Sequence, residues 1–168
     1  MTKHFFLIRH AQAETSSPMS KDFERMLTPT GMAEAMKMGE RLLQLDVRPS
    51  LIVTSPAMRC ADTAQLLAER MGYDTNAIRQ EPDLYEASVR SLLSVINGLE
   101  ESHERVMLVG HNPAATYLAE FLTRAEIGSL PTGGTVYMTF EGQKWAEVTG
   151  QSAKLVWFEY PDKATDAE

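Results

Sequence analysis

The chain has 168 residues, 16 basic against 23 acidic side chains, a formal net charge of −7 and 43% hydrophobic residues. That length suits one domain with a substantial core, and the composition excludes a disordered chain. The acidic balance argues against a general nucleic-acid or anionic-membrane surface, although a few converging arginines can still make a positive pocket for a small anion.

The first apolar block, His4 to Ile8, predicts a short buried strand that runs straight into Arg9 and His10. It is too short for a secretory core or a membrane span. Cys60 is the only cysteine, so neither an intrachain disulfide nor a thiolate metal cluster can form, and the expected compartment is the cytoplasm. Ala11 to Thr30 reads as a long polar loop with room for a short helical turn, the kind of loop that is often functional.

From Met32 the pattern turns helical, with Ala35, Met38, Gly39, Leu42, Leu43 and Leu45 as the apolar stripe and Thr28-Pro29 as cap and first turn. "SLIVTSP" is a second strand. "AMRCADTAQLLAERMG" is a helix that buries Cys60/Ala61, Ala64 and Leu67/Ala68 and is closed by Gly72. A short strand is expected at Ala77–Arg79. "VRSLLSVINGLEE" gives a third helix, "RVMLVGHNP" a strand running into a loop, and "AATYLAEFLTRA" a fourth helix. Beyond "LPTGG", the segments "TVYMTF", "KWAEVT" and "AKLVWFEY" read as strands separated by turns. Residues 1–160 are expected to form the single domain, with 161–168 as a flexible tail.

Alternating strands and helices predict a three-layer α/β/α sandwich with a mostly parallel central sheet. Ligands bind at the carboxyl ends of such strands. Three strand ends carry polar residues: Arg9-His10, Thr54-Ser55 and Gly110-His111. Imidazole serves as nucleophile or proton carrier near neutral pH. Arg9 and Arg59 bring planar guanidinium forks suited to phosphate oxygens, and the amino ends of the helices after Pro56 and Asn112 offer backbone donors. Two arginines and two histidines at strand ends fit a phosphoryl clamp better than separate surface roles. Ser55 lacks the G-x-S-x-G elbow of a serine hydrolase, and its expected role is packing or a phosphate contact. Cys60 reads as core. "PTGGTV" lacks P-loop spacing, with Thr132 and Gly133 expected at the pocket edge.

The stretches "LIRHAQAE", "DFERMLTPTGMAEA", "IVTSPAMRCADTA", "PDLYEAS" and "VMLVGHNP", in that order, resemble the histidine phosphatase (phosphoglycerate mutase-like) superfamily, in particular its short SixA-type branch of phosphohistidine phosphatases. Ala11 stands where the family usually has glycine, a change that the SixA-like branch tolerates. The resemblance implies a covalent phosphohistidine on His10, with Arg9, Arg59 and His111 holding the phosphoryl group, and no metal or other cofactor. It implies a carboxylate acid at Glu86, with Glu81 nearby as the alternative. Asp22 and Arg25 match a loop that shapes the entrance.

The leading expectation is therefore a phosphatase acting on phosphohistidine in a partner protein. A small-molecule phosphomonoesterase of the same mechanism and a non-catalytic phosphate-binding module are the alternatives. A metal hydrolase is disfavoured, because the chain lacks an HxH pair, an HExxH helix and an aspartate cluster.

Overall fold

In the computed structural model, residues 1–19 and 21–162 are described, and most of the expected tail, 163–168, lies outside them. Six strands form one sheet in the order β3-β2-β4-β1-β5-β6. They are β1 (Thr2–Arg9), β2 (Leu51–Thr54), β3 (Arg79–Gln80), β4 (Arg105–Gly110), β5 (Thr135–Glu141) and β6 (Lys154–Glu159). β3, β2, β4 and β1 run parallel, and β5 is antiparallel to both β1 and β6. Helices α1 (Pro29–Gln44), α2 (Met58–Met71), α3 (Val89–Asn97) and α4 (Ala114–Thr123) cover the sheet, giving the expected three-layer, mostly parallel sandwich.

Each face of the sheet buries its own apolar cluster. Phe6, Ile8, Ile52 and Val109 meet Met38 and Leu42 of α1 and Ala64 and Leu67 of α2. On the other face Phe5, Leu7, Val53 and Leu108 meet Leu92 and Ile96 of α3 and Leu118 and Leu122 of α4. Alternate β1 side chains thus serve opposite layers, as period-two geometry requires. A strand buried on both faces reads as a continuous apolar run.

Several local expectations shift. α1 starts at Pro29, capped by the Thr28 hydroxyl accepting from the Gly31 N–H. Leu43, expected in the stripe, is exposed, since it falls a full helical step off the buried Leu42. The strand expected at Ala77–Arg79 lies at Arg79–Gln80, because Asp74 caps a short 3-10 turn over Thr75–Ala77. "KWAEVT" is not a strand. Trp145–Glu147 form a 3-10 turn that carries the Trp145 indole into the core, where its Nε1–H donates to the His103 carbonyl at 2.7 Å. Asn97 Nδ2 holds the turn by donating to the Trp145 and Val148 carbonyls. Pro161, expected in the tail, is buried.

The loop after β1 is pinned onto the start of α1. A Cβ on Gly31 would lie 1.9 Å from the Gln12 carbonyl oxygen, so only glycine allows this approach. Gly31→Ala is therefore expected to lower unfolding free energy by about 1–3 kcal/mol through overpacking. Gly98→Ala, whose Cβ would meet neighbours only at ordinary 3.6–3.7 Å contact, should stay within about 0.5 kcal/mol. Urea denaturation of both variants checks this.

Candidate active site

Parallel pairing sets the geometry of the site. Arg9 at the end of β1 is in register with Gly110 at the end of β4, and Thr54 at the end of β2 is in register with Val109. The residues that follow, His10, His111 and Ser55, therefore emerge side by side. Backbone bonds from His10 N–H to the Gly110 carbonyl (3.1 Å) and from Ser55 N–H to the Val109 carbonyl (3.1 Å) extend the pairing one step past the strands. A cavity of about 790 Å³ opens there, with Arg9, His10, Arg59 and His111 among its lining.

His10 is only 8% exposed. Its Nδ1 lies 2.7 Å from the Ala11 carbonyl oxygen. A carbonyl only accepts, so Nδ1 carries the proton and the neutral ring keeps its lone pair on Nε2. Burial pushes the His10 pKa down to about 3 against the pull of the Ala11 bond, with His111, Arg59 and Arg9 adding to the depression. The two imidazoles meet edge to face, 5.6 Å between centroids.

His111 is held at both nitrogens. Arg59 Nη2 donates to Nδ1 at 3.3 Å, which leaves Nε2–H to donate to Ser55 Oγ at 2.8 Å. Burial and then the Arg59 guanidinium push its pKa down to about 4, so the ligand-free ring is neutral rather than the cation a phosphate clamp suggests. The Cys60 sulfur packs 3.5 Å from His111 Nε2, and burial raises its own pKa to about 12, which keeps it a thiol.

Arg59 is 5% exposed. Its Nη1 donates to the Asp22 carbonyl at 2.7 Å and its Nη2 to Asp22 Oδ2 at 3.1 Å. Arg9 Nη1 donates to the Leu130 carbonyl at 2.8 Å. In both arginines the buried Nε has no acceptor.

Of the remaining candidates, Glu86 lines the cavity, is exposed and adopts a left-handed backbone with φ 55°. Glu81 does not line it. Its carboxylate accepts from the Asp83 N–H at 3.4 Å. Thr132 lines the cavity, but its hydroxyl donates to the Glu34 carboxylate at 3.0 Å. Ser55 and Gly133 are off the cavity wall. Ser55 is fully buried behind His111, and the Gly133 N–H donates to the Arg9 and His10 carbonyls at 3.0 and 3.1 Å. Both serve the frame rather than a ligand. The helix amino ends are engaged in part. At α4 the Ala115 N–H donates to the His111 carbonyl and the Thr116 N–H to Asn112 Oδ1. At α2 the Cys60 and Ala61 N–H groups donate to the Ala57 carbonyl.

Three residues of the site were not singled out from sequence as ligand-facing or supporting groups. Tyr85 donates its hydroxyl to Asp22 Oδ2 at 2.7 Å and packs edge-on against His111, 5.6 Å between centroids. Tyr117 lines the mouth, and Glu34 ties the Gln12 N–H (2.8 Å) to Thr132. Tyr85 stands next to Glu86 in "LYEAS". Asp22, expected only to shape the entrance, is held below the usual carboxylate range by the Tyr85 hydroxyl, then by Arg59 and Arg25.

Among the described residues no group of three or more His, Cys, Asp or Glu side chains is placed to hold a metal ion. A family model described as the histidine phosphatase superfamily (branch 1) matches residues 5–92. An uncharacterized chloroplastic protein of Arabidopsis thaliana is 25% identical over 165 residues, covering 94% of this chain and 75% of that protein. The mitochondrial serine/threonine-protein phosphatase PGAM5 of Rattus norvegicus is 37% identical over 70 residues, 42% of this chain and 24% of PGAM5. The crystal structure of SixA from Agrobacterium tumefaciens, a candidate phosphohistidine phosphatase, is similar at TM-score 0.79 and 29% identity, covering 95% of this chain and 98% of that one. The tungstate complex of the protein histidine phosphatase SixA shares the fold, at TM-score 0.81 and 20% identity, covering 96% and 99% of the two chains.

The depressed His10 pKa has a direct readout. Long-range ¹⁵N–¹H correlation is expected to show His10 as the neutral Nδ1–H tautomer from pH 7 down to pH 5. A protonation midpoint near the unperturbed value of about 6.5 would contradict the geometry.

Proposed function

This chain belongs to the histidine phosphatase superfamily, and we propose that it is a phosphatase that forms a phosphohistidine on His10 and takes its phosphoryl group from phosphohistidine in a partner protein. The observation that carries this reading is the His10 Nδ1 bond to the Ala11 carbonyl, which leaves the Nε2 lone pair for the cavity at neutral pH. The cations needed to receive a phosphoryl group, Arg9 and Arg59, line the same cavity.

The chemistry follows in two steps. His10 Nε2 attacks phosphorus in line, the new N–P bond forms, and the bond to the leaving nitrogen breaks with its electron pair returning to that nitrogen. A phosphoimidazole protonated on its second ring nitrogen leaves as neutral imidazole, so no protein carboxylate has to supply that proton. Arg9 and Arg59 hold the equatorial oxygens and offset the charge that spreads onto them. An incoming dianion raises the proton affinity of His111, so this ring takes up a proton and joins the clamp as a donor. Water then attacks phosphorus, releasing phosphate and restoring neutral His10.

A protein substrate is supported by Tyr117, 56% exposed on the cavity lining, and by Phe23, 39% exposed and packed edge-on against the lining Tyr85. Exposed aromatic side chains beside a catalytic mouth suit a macromolecular partner. The SixA protein of A. tumefaciens, similar over nearly its whole length, is itself a candidate phosphohistidine phosphatase. The cytoplasm is the proposed compartment, on the strength of the single cysteine. Among the described residues no helix is long and apolar enough to cross a membrane.

Brief reaction with a labelled phosphohistidine protein is expected to leave acid-labile, base-stable phosphate on His10. His10→Ala should carry no label and lose turnover by about 10³-fold or more. Intact turnover in that variant refutes the mechanism. In a matched panel, a whole phosphohistidine protein should exceed both phosphoramidates and phosphate esters in kcat/KM. A faster small ester would assign the enzyme to small molecules instead.

A further inference from the structure

A general acid must hold its proton at neutral pH, and burial is the usual means. Glu86, the carboxylate that sequence resemblance offers for the role, is exposed and stands at the rim of the cavity. Its left-handed backbone interrupts the chain between the turn at Pro82–Leu84 and α3, where the 3-10 turn cap at Tyr85 and the Ser88 cap of α3 fix both sides.

The charges around it are unevenly paired. Asp22 is engaged by Arg59 and Arg25 at 3.1 and 3.2 Å and by the Tyr85 hydroxyl. Arg25, the cation at the rim, is thereby held on Asp22. Arg9 and Arg59 belong to the floor around His10. Among the described residues, Asp22 is the lining carboxylate paired with lining arginines, and no ion pair within 4 Å joins Glu86 to a cation of the lining. Tyr85 precedes Glu86 in the chain, and Tyr117 lines the same cavity. In-line displacement from His10 drives the leaving group away from the floor and out toward this rim. An ionised carboxylate and aromatic rings together favour a cation and oppose an anion.

We propose that Glu86, with the rings of Tyr85 and Tyr117, forms a leaving-group slot that selects a cationic group, such as a protonated imidazole, over a neutral or anionic one, and that Glu86 acts there through its charge rather than as a proton donor. The proposal rests on the phosphoenzyme reading above. Its chemical consequence is that the protonated phosphoimidazole ring, the form that can leave neutral, is the form the rim stabilises. The slot accordingly favours nitrogen–phosphorus substrates, whose leaving ring can carry a positive charge, over esters that leave as anions.

The test compares two aryl phosphates whose leaving phenols have similar acidity and opposite charge, one with a para-trimethylammonium group and one with a para-sulfonate. Wild-type enzyme is expected to prefer the cationic substrate by about tenfold in kcat/KM, the size of a charge interaction at the edge of a protein surface. Glu86→Gln, a change at an exposed position, should cut that preference to about threefold or less. Glu81→Gln, which alters a nearby carboxylate off the cavity, should keep it.

Equal wild-type rates, or a preference untouched by Glu86→Gln, overturn the slot. A like drop in Glu81→Gln assigns the preference to the overall field of an acidic protein and overturns it as well. If Glu86→Gln instead slows uncharged aryl phosphates more steeply as the leaving phenol becomes less acidic, with the charge preference unchanged, Glu86 is a proton donor. Label on His10 is followed throughout. Label without charge preference refutes the slot alone, whereas absence of label refutes the underlying reading and the slot with it.

Discussion

The parallel pairing of β1 with β4 is the constraint on which the site depends. Arg9 opposite Gly110 brings the residue after each strand into the same small volume, and the two histidines stand edge to face because their strands end together. A slip of one residue would exchange the side chains that β1 sends to the α1/α2 layer with those it sends to the α3/α4 layer. It would also pull His10 away from His111. Phe5, Leu7, Phe6 and Ile8, all nearly or fully buried on alternating faces, make such a slip costly. The same packing that holds the sheet together therefore holds the proposed nucleophile in place.

Burial then decides the protonation states. Two imidazoles and two guanidiniums withdrawn from water beside one another cannot all be charged at little cost. The arginines keep their protons and the histidines give theirs up, with His10 near 3 and His111 near 4. A neutral nucleophile beside permanent cations is the arrangement that phosphoryl transfer requires. It arises here from desolvation and mutual repulsion, with the Ala11 carbonyl deciding which nitrogen is free.

The surrounding polar groups are mostly occupied by one another. Thr132 answers to Glu34, Ser55 to His111, and the Gly133 N–H to the carbonyls of Arg9 and His10. These bonds connect the loop after β1, the start of α1 and the approach to β5 into one support for Arg9 and His10. Asp22 and Tyr85 do the same across the mouth, joining the loop before α1 to the loop before α3. The groups proposed to touch a phosphoryl group and the groups that orient them are different side chains.

Local sequence was sufficient for the elements that depend on local physics. The apolar runs of β1, β2 and β4, the stripe of α4 and the Thr28-Pro29 start of α1 follow from periodicity and capping, which act over a few residues. Arg9, His10, Arg59 and His111 could be expected to share one cavity because each sits at a strand end or in the first turn after one. The indole of Trp145 looked like part of a strand, since nothing near it in sequence reveals that the His103 carbonyl and the Asn97 amide will hold a turn there. Ser55, Thr132 and Gly133 had the residue types of ligand contacts, but their hydrogen bonds go to partners brought near only by folding. The roles of Asp22, Tyr85 and Glu34 were likewise set by contacts across the fold. Sequence by itself determined which residues stand at the strand ends. Tertiary structure decided which of them keep a free atom for chemistry, because burial and hydrogen bonding are shared among segments far apart in the chain.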